Sequence, residues 1–171
     1  MRLLILMRHG KSGWDDPTLE DHARPLALRG RLASALMGAW LRETGLAPEA
    51  ARISDARRVR ETWEGLAREL PAPPAPEVMP ELYHAAPQAL LSAAQGLPDA
   101  AGRPLLLAHE PGLGAFLRLM LAQRPAGGAA RALDSFPTAA VAALELEAPR
   151  WRDLRLGGAR LAHFARPKDL V

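Results

Sequence analysis

The amino-acid sequence predicts an α/β fold, a three-layer α/β/α sandwich around a mostly parallel sheet. Three features point to it. Runs at 2–7 and 104–108 have strand length and are almost wholly apolar, as strands covered on both faces are, and a shorter run follows at 51–54. Between these runs, apolar residues recur at helical spacing. Strands and helices that alternate in this way close as crossover units, with helices on both faces of a parallel sheet.

The elements follow in order. Residues 2–7 form a buried strand that ends at Arg8-His9-Gly10. Residues 11–25 are polar and turn-rich and read as a loop. A helix over 26–44 places Leu28, Leu32, Ala35, Leu36, Ala39, Trp40 and Leu41 at helical period, and Gly45 suits its C-terminal cap. Residues 51–54 give a second strand. A helix over about 56–70 follows, with Val59, Thr62, Trp63, Leu66 and Leu70 on one face and Ser54 or Asp55 as its N-cap. Pro71-Ala72-Pro73-Pro74-Ala75-Pro76 suits neither helix nor central strand and reads as a stiff surface connection. A short edge strand at 77–79, a helix at about 87–95 and a strand at 104–108 come next. A helix then runs over 111–123 with Leu113, Phe116, Leu117, Met120 and Leu121 inward. The Pro/Gly-rich stretch 123–132 reads as a loop, and 138–146 and 151–156 as two final strands.

With 171 residues and no internal repeat, the chain is expected to form one domain over 1–171. Hydrophobic residues are 49% and charged residues 24%, the balance of an ordinary globular protein. Absence of cysteine excludes disulfides and zinc–thiolate sites and fits a reducing compartment. The apolar N-terminal run is shorter than a signal-peptide core, and no run approaches the ~20 apolar residues of a membrane span. A cytoplasmic location and no membrane partner are therefore expected. The net charge of +3 comes with scattered arginines rather than a basic stripe. With aromatics at 5% and no recognisable module, nucleic acid is not an expected partner, and an anionic small substrate accounts for selected arginines more economically.

Chemistry concentrates at two strand ends. In open α/β sheets ligands bind beyond the carboxyl ends of the strands. Arg8-His9-Gly10 ends the first strand, and Ala108-His109-Glu110-Pro111-Gly112 ends another about a hundred residues later. A nucleophilic imidazole must be neutral on the attacking nitrogen with its other nitrogen held by an acceptor, and neighbouring arginines lower its pKa. Gly10 permits a sharp turn and close approach of a substrate. His109 stands before a helix start, whose free amides attract anions. A third segment, Ser54-Asp55-Ala56-Arg57-Arg58-Val59-Arg60-Glu61-Thr62, sets arginines one turn into a helix, where a guanidinium fork suits a tetrahedral anion. Arg57 and Arg60 read as a solvated helix face.

The R-H-G strand end, the S-x-x-x-R-x-x-E-T segment and the later strand-ending histidine resemble the histidine phosphatase superfamily, which includes the phosphoglycerate mutases. Four further stretches resemble its small SixA-like branch of phosphohistidine phosphatases: Arg8 to Trp14, Asp21 to Gly30, His109 to Leu113 and Arg166 to Leu170. The resemblance implies a phosphoglycerate mutase-like fold and a phosphatase that needs no metal and no cofactor. It implies His9 as the nucleophile that accepts the phosphoryl group, Arg8 and Arg58 as holders of its oxygens, and His109 as the residue that completes the pocket. No H-x-x-x-H and no acidic cluster with metal-ligand spacing occurs in the sequence.

Departures from the family pattern carry information. Asp15 stands where mutase-like members have an asparagine, which argues against a sugar-phosphate mutase. The segment that carries a general-acid glutamate elsewhere is here Leu82-Tyr83-His84, preceded by Glu81. Another branch places its acid after the second histidine, which makes Glu110 the candidate proton donor; Glu110 also reads as a helix-start carboxylate. A P–N bond to imidazole has a good leaving group and needs little proton donation, whereas an alkyl ester wants an acid. The expected substrate is thus phosphohistidine, including one carried by a phosphotransfer protein. A small-metabolite phosphomonoesterase and a non-catalytic phosphate-binding module stay open as alternatives. Lys11 and Trp14 are placed to line the pocket or simply to lie on the surface, while His22 and His163 match nothing in the pattern.

Overall fold

The computed structural model describes the backbone of residues 1–171 and every side chain except those of Gly128, Arg131 and Ala132. Six strands form one sheet: β1 (Arg2–Arg8), β2 (Ala50–Ser54), β3 (Glu77–Met79), β4 (Pro104–Ala108), β5 (Val141–Leu146) and β6 (Ala159–Ala165), in the order β3-β2-β4-β1-β5-β6. Pairs β3–β2, β2–β4 and β4–β1 are parallel, and β5 runs antiparallel to both β1 and β6. The expected mostly parallel α/β sandwich is the fold observed.

Apolar alternation explains why the sheet is buried on both sides. Leu4 and Leu6 of β1, Leu106 of β4 and Leu144 of β5 point into one core, with α3 (Pro87–Gln95) and α4 (Gly112–Met120). Ile5 and Met7, Leu105 and Leu107, and Val141 point into the other, with α1 (Leu28–Glu43) and α2 (Arg57–Ala67). A strand apolar at every position fits only where both faces are covered. α1 ends as its sequence suggests: Gly45 takes a left-handed φ of 74° and its N–H donates to the Arg42 carbonyl.

The C-terminal third departs from the sequence reading. Residues 151–156 are not a strand. Trp151–Asp153 form a 3₁₀ turn, the Trp151 indole N–H donates to the Ala101 carbonyl at 2.8 Å, and Trp151 and Leu154 both enter the core. Their i, i+3 spacing belongs to a turn. The last strand is instead β6, a half-exposed edge whose alternation is interrupted by a register shift opposite Ala143/Leu144. Within the predicted loop 123–132 a helix, α5 (Gly128–Asp134), begins. The helix predicted over 111–123 is α4, shorter at its C-terminal end, and β5 begins at Val141 rather than 138. Helix α2 has neither Ser54 nor Asp55 as N-cap; Ala56 occupies that position without a side-chain bond, because both polar side chains are engaged elsewhere.

Candidate active site

β1 and β4 are neighbours in the middle of the sheet, and their register sets Arg8 beside Ala108. The next residue of each strand, His9 and His109, therefore leaves the sheet side by side, with ring centroids 5.1 Å apart, close to the spacing of adjacent strands. His9 and His109 are 7% and 2% exposed, so every ring nitrogen needs a partner. His9 Nδ1 lies 2.7 Å from the Gly10 carbonyl oxygen, which can only accept, so Nδ1 carries the hydrogen and Nε2 presents a lone pair. Arg58 Nε donates to that Nε2 at 3.4 Å. His109 has the opposite tautomer: Arg58 Nη2 lies 3.4 Å from its Nδ1, and its Nε2–H meets Ser54 Oγ at 2.8 Å. Burial, followed by the charges of Arg58 and Arg8, lowers the His9 pKa to about 4. Burial, followed by His9, Arg58 and His84, lowers that of His109 to about 2. Both imidazoles are neutral near pH 7.

The S-x-x-x-R-x-x-E-T segment acquires a physical meaning residue by residue. Ser54 holds His109. Arg58, 4% exposed, reaches both imidazoles. Glu61 accepts the Leu26 N–H at 3.2 Å and ties down the far end of the loop that follows β1. Thr62 accepts the Gly10 N–H at 3.0 Å and donates to the Arg58 carbonyl at 2.6 Å, so it locks the nucleophile turn to α2.

Glycines bring the pieces close. A Cβ on Gly10 would lie 2.8 Å from the Gly30 carbonyl oxygen, and one on Gly30 would collide with the Lys11 backbone, so the nucleophile loop and the first turn of α1 touch backbone to backbone. A Cβ on Gly112 would collide with the Ala85 carbonyl, so the turn after His109 packs against the segment 83–85.

A polar rim covers Arg58. Its Nη1 donates to the Asp21 carbonyl at 2.7 Å and its Nη2 to Asp21 Oδ2 at 3.0 Å. Tyr83 Oη donates to the same carboxylate oxygen at 2.5 Å, and His84 Nε2 stands 3.3 Å from both Asp21 Oδ2 and Arg58 Nη2. Burial pushes the Asp21 pKa up, but the hydrogen bonds from Tyr83 and Arg58 outweigh it and hold the carboxyl below the ordinary carboxylate value. His84 has a left-handed φ of 52°, a conformation uncommon for a residue with a side chain and one that turns its ring onto Arg58.

Of the residues singled out from sequence, the fold brings His9, Arg58 and His109 into direct contact. Arg8 donates through Nη1 to the Phe136 carbonyl at 3.0 Å, while its buried Nε has no hydrogen-bond partner. Glu110 Oε1 accepts the Gly114 N–H at 2.5 Å in the first turn of α4, the arrangement of a helix-start carboxylate, and its charge opposes the fall in the Arg8 pKa caused by burial. Arg57 and Arg60 are exposed, and Arg57 pairs with Glu61. Lys11 and Trp14 are exposed too, Trp14 against the Arg24 guanidinium. His163 lies on β6 near Trp40. His22 is drawn to the rim after all: Nε2 is 2.9 Å from Asp55 Oδ1 and the ring meets Tyr83 edge-on. Sequence reasoning gave no role to Ser54 beyond capping and none to Tyr83. Asp21 and His84 had a signal, in the D-x-x-R-P-L-x-x-x-G stretch and in the place of a missing glutamate. Among the described residues no group of three or more His, Asp or Glu is arranged to hold a metal ion. Among the described residues no helix is long and apolar enough to cross a membrane.

Comparison with known proteins places this geometry. The family described as histidine phosphatase superfamily (branch 1) matches residues 4–86, which include His9 and Arg58. An uncharacterized protein of Mycobacterium tuberculosis is 36% identical over 165 residues, 95% of this chain and 100% of the relative. A Nakamurella multipartitia structure, with proposed SixA phosphohistidine phosphatase activity, is 29% identical with a TM-score of 0.84, covering 97% of this chain and 96% of that one. A second such protein, from Agrobacterium tumefaciens, is 25% identical with a TM-score of 0.79, covering 97% and 98%.

Proposed function

The chain belongs to the histidine phosphatase superfamily and is a phosphatase, and from that premise we propose that it hydrolyses phosphohistidine, without metal, through a phosphoryl group held on His9. The observation that carries this reading is the orientation of the two imidazoles, with the His9 Nε2 lone pair facing the Arg58 guanidinium. In the first step His9 Nε2 attacks phosphorus, the N–P bond forms, and the bond from phosphorus to the substrate imidazole breaks with its electron pair leaving on that nitrogen. In the second step water attacks the same phosphorus, the His9 N–P bond breaks and inorganic phosphate leaves, with the water proton passing to solvent. Phosphoryl transfer asks mainly for positioning and for compensation of charge on the equatorial oxygens. Arg58 and the unpartnered Arg8 Nε–H supply donors for those oxygens, and His109 stands beside them.

Substrate class follows from the carboxyl groups. Asp21 is held as a carboxylate by Tyr83 and Arg58, and Glu110 is bonded to the start of α4. Asp21 is thereby kept from giving a proton, and Glu110 has Oε1 engaged by the helix backbone. An imidazole leaving group tolerates that; an alkoxide does not. The SixA-type neighbours support the same class.

The test is hydrolysis in EDTA of free phosphohistidine, a histidine-phosphorylated protein and a panel of alkyl phosphate esters, alongside His9→Ala. The P–N substrates are expected to be preferred by about a hundredfold or more, the scale of a missing general acid, and to be inert with His9→Ala. Faster turnover of an ester would make the protein a metabolite phosphatase. Binding of phosphate analogues with no turnover of any substrate would make it a phosphate-binding module.

A further inference from the structure

A groove of about 660 Å³ lies beside the site, and its residues play no part in the chemistry described above. Its position follows from the sheet. β5 pairs Val141 with both Met7 of β1 and Ala165 of β6, so the end of β6 lies two strands from the end of β1, at the same edge. Two strand spacings are about 10 Å. One wall is Lys11, two residues after the nucleophile, and the other is the turn Pro167–Asp169. The floor is α1, through Leu32 and Leu36. Pro137 and Thr138 close the end nearest the site, directly before Ala139, whose N–H donates to the His9 carbonyl.

Charge and polarity in the groove agree. Lys11, Arg29 and Lys168 line it, are exposed, and form no ion pair among the described residues. Arg166 is already matched by Asp169 at 2.8 Å. Among the described residues no carboxylate side chain lines the groove. Leu32 is 64% exposed in the midst of these cations. A lone surface leucine means little. An exposed leucine flooring a groove rimmed by unmatched positive charge has the anatomy of a protein interface, apolar at the centre and charged at the rim.

We propose that this groove docks the surface of a protein substrate next to its phosphohistidine, a segment that carries carboxylates around an apolar side chain. The proposal rests on the phosphohistidine reading of the site and names the form in which that substrate arrives. A small phosphoramidate at His9 is too short to reach the far wall of the groove, at the end of β6 about 10 Å from that of β1; a macromolecular substrate fills both. Nucleic acid fits poorly, since no aromatic side chain lines the groove among the described residues. Complementary charge at this rim steers the partner and sets its register, while chemistry stays with His9.

Two synthetic peptides test it, each with a single histidine phosphorylated by phosphoramidate. One places Asp and Glu around a leucine; the other has Lys at those positions. The acidic peptide is expected to show a KM about tenfold lower at low salt, with the difference largely gone at about 0.5 M NaCl. Arg29→Glu with Lys168→Glu should reverse the preference, and Leu32→Asp should raise KM for the acidic peptide. Turnover of free phosphohistidine by these variants should match the parent protein, which also reports that they fold. Equal KM values for the two peptides, or variants without effect on them, overturn the groove while leaving the site reading intact. Failure of the parent protein to hydrolyse both peptides and free phosphohistidine overturns the substrate reading and the groove with it.

Discussion

One hydrogen bond decides which nitrogen of His9 can react. The Gly10 carbonyl takes the Nδ1 hydrogen, and Nε2 is left facing Arg58. The same guanidinium faces His109 Nδ1, while Ser54 holds the opposite nitrogen of that ring. Burial makes protonation of either ring costly, and the adjacent cations add to the cost. A free histidine gains its proton near pH 6.5, but His9 must wait until about pH 4. Histidine NMR from pH 8 to 5 should therefore show both rings neutral throughout, His9 as the Nδ1–H form and His109 as the Nε2–H form. Titration of His9 near 6.5 would contradict the account, because the nucleophile would then be charged over much of the working range. Arg8, His9, Arg58 and His109 could be picked from sequence because each has a motif register. Tyr83 could not: its contact with Asp21 spans 62 positions of chain and depends on how two loops fold over α2.

Elements meet here through glycine. Gly30 of α1 lies against the Lys11 backbone, and this contact, rather than any side chain, fixes how α1 abuts the nucleophile loop. The stretch from Asp21 to Gly30 is thus one device: its 3₁₀ turn offers Asp21 to Arg58, and its glycine lets the following helix close in. Gly30→Ala should lower stability by about 1–3 kcal/mol through overpacking, seen as a lower Tm, and should slow phosphohistidine turnover because the loop must shift. An unchanged Tm and rate would show that the contact does not hold the loop. Strands buried on both faces and helices with one apolar face were readable because a single pattern dictates each. β6 was not: it is a half-exposed edge with an irregular register, and its alternation is weak. Trp151 and Leu154 misled in the other direction, since two large apolar residues in a short stretch suit a strand as well as a turn against the core.

At the scale of the molecule, strand order explains the site. Inserting β4 between β1 and β2 makes the two histidine-bearing strands neighbours, although a hundred residues separate their ends. Ser54 at the end of β2 then comes within reach of His109. β5 and β6 extend the same edge, and the residues just before β5 and just after β6 line the basic groove with Lys11 and α1, so the chemistry and the proposed docking surface share one side of the protein. Sequence announced the sheet and the two strand-ending histidines, but not the groove: its residues come from positions 11 to 171 and have no common motif. The central claim is that His9 carries the phosphoryl group during hydrolysis of phosphohistidine. Its most direct test is to mix the protein with phosphohistidine, quench within a turnover in alkali, where phosphohistidine persists, and map phosphate by peptide mass spectrometry. The account predicts a base-stable, acid-labile phosphoryl group on the His9 peptide that is absent with His9→Ala. Steady turnover with no phosphate on His9 at any quench time would contradict it.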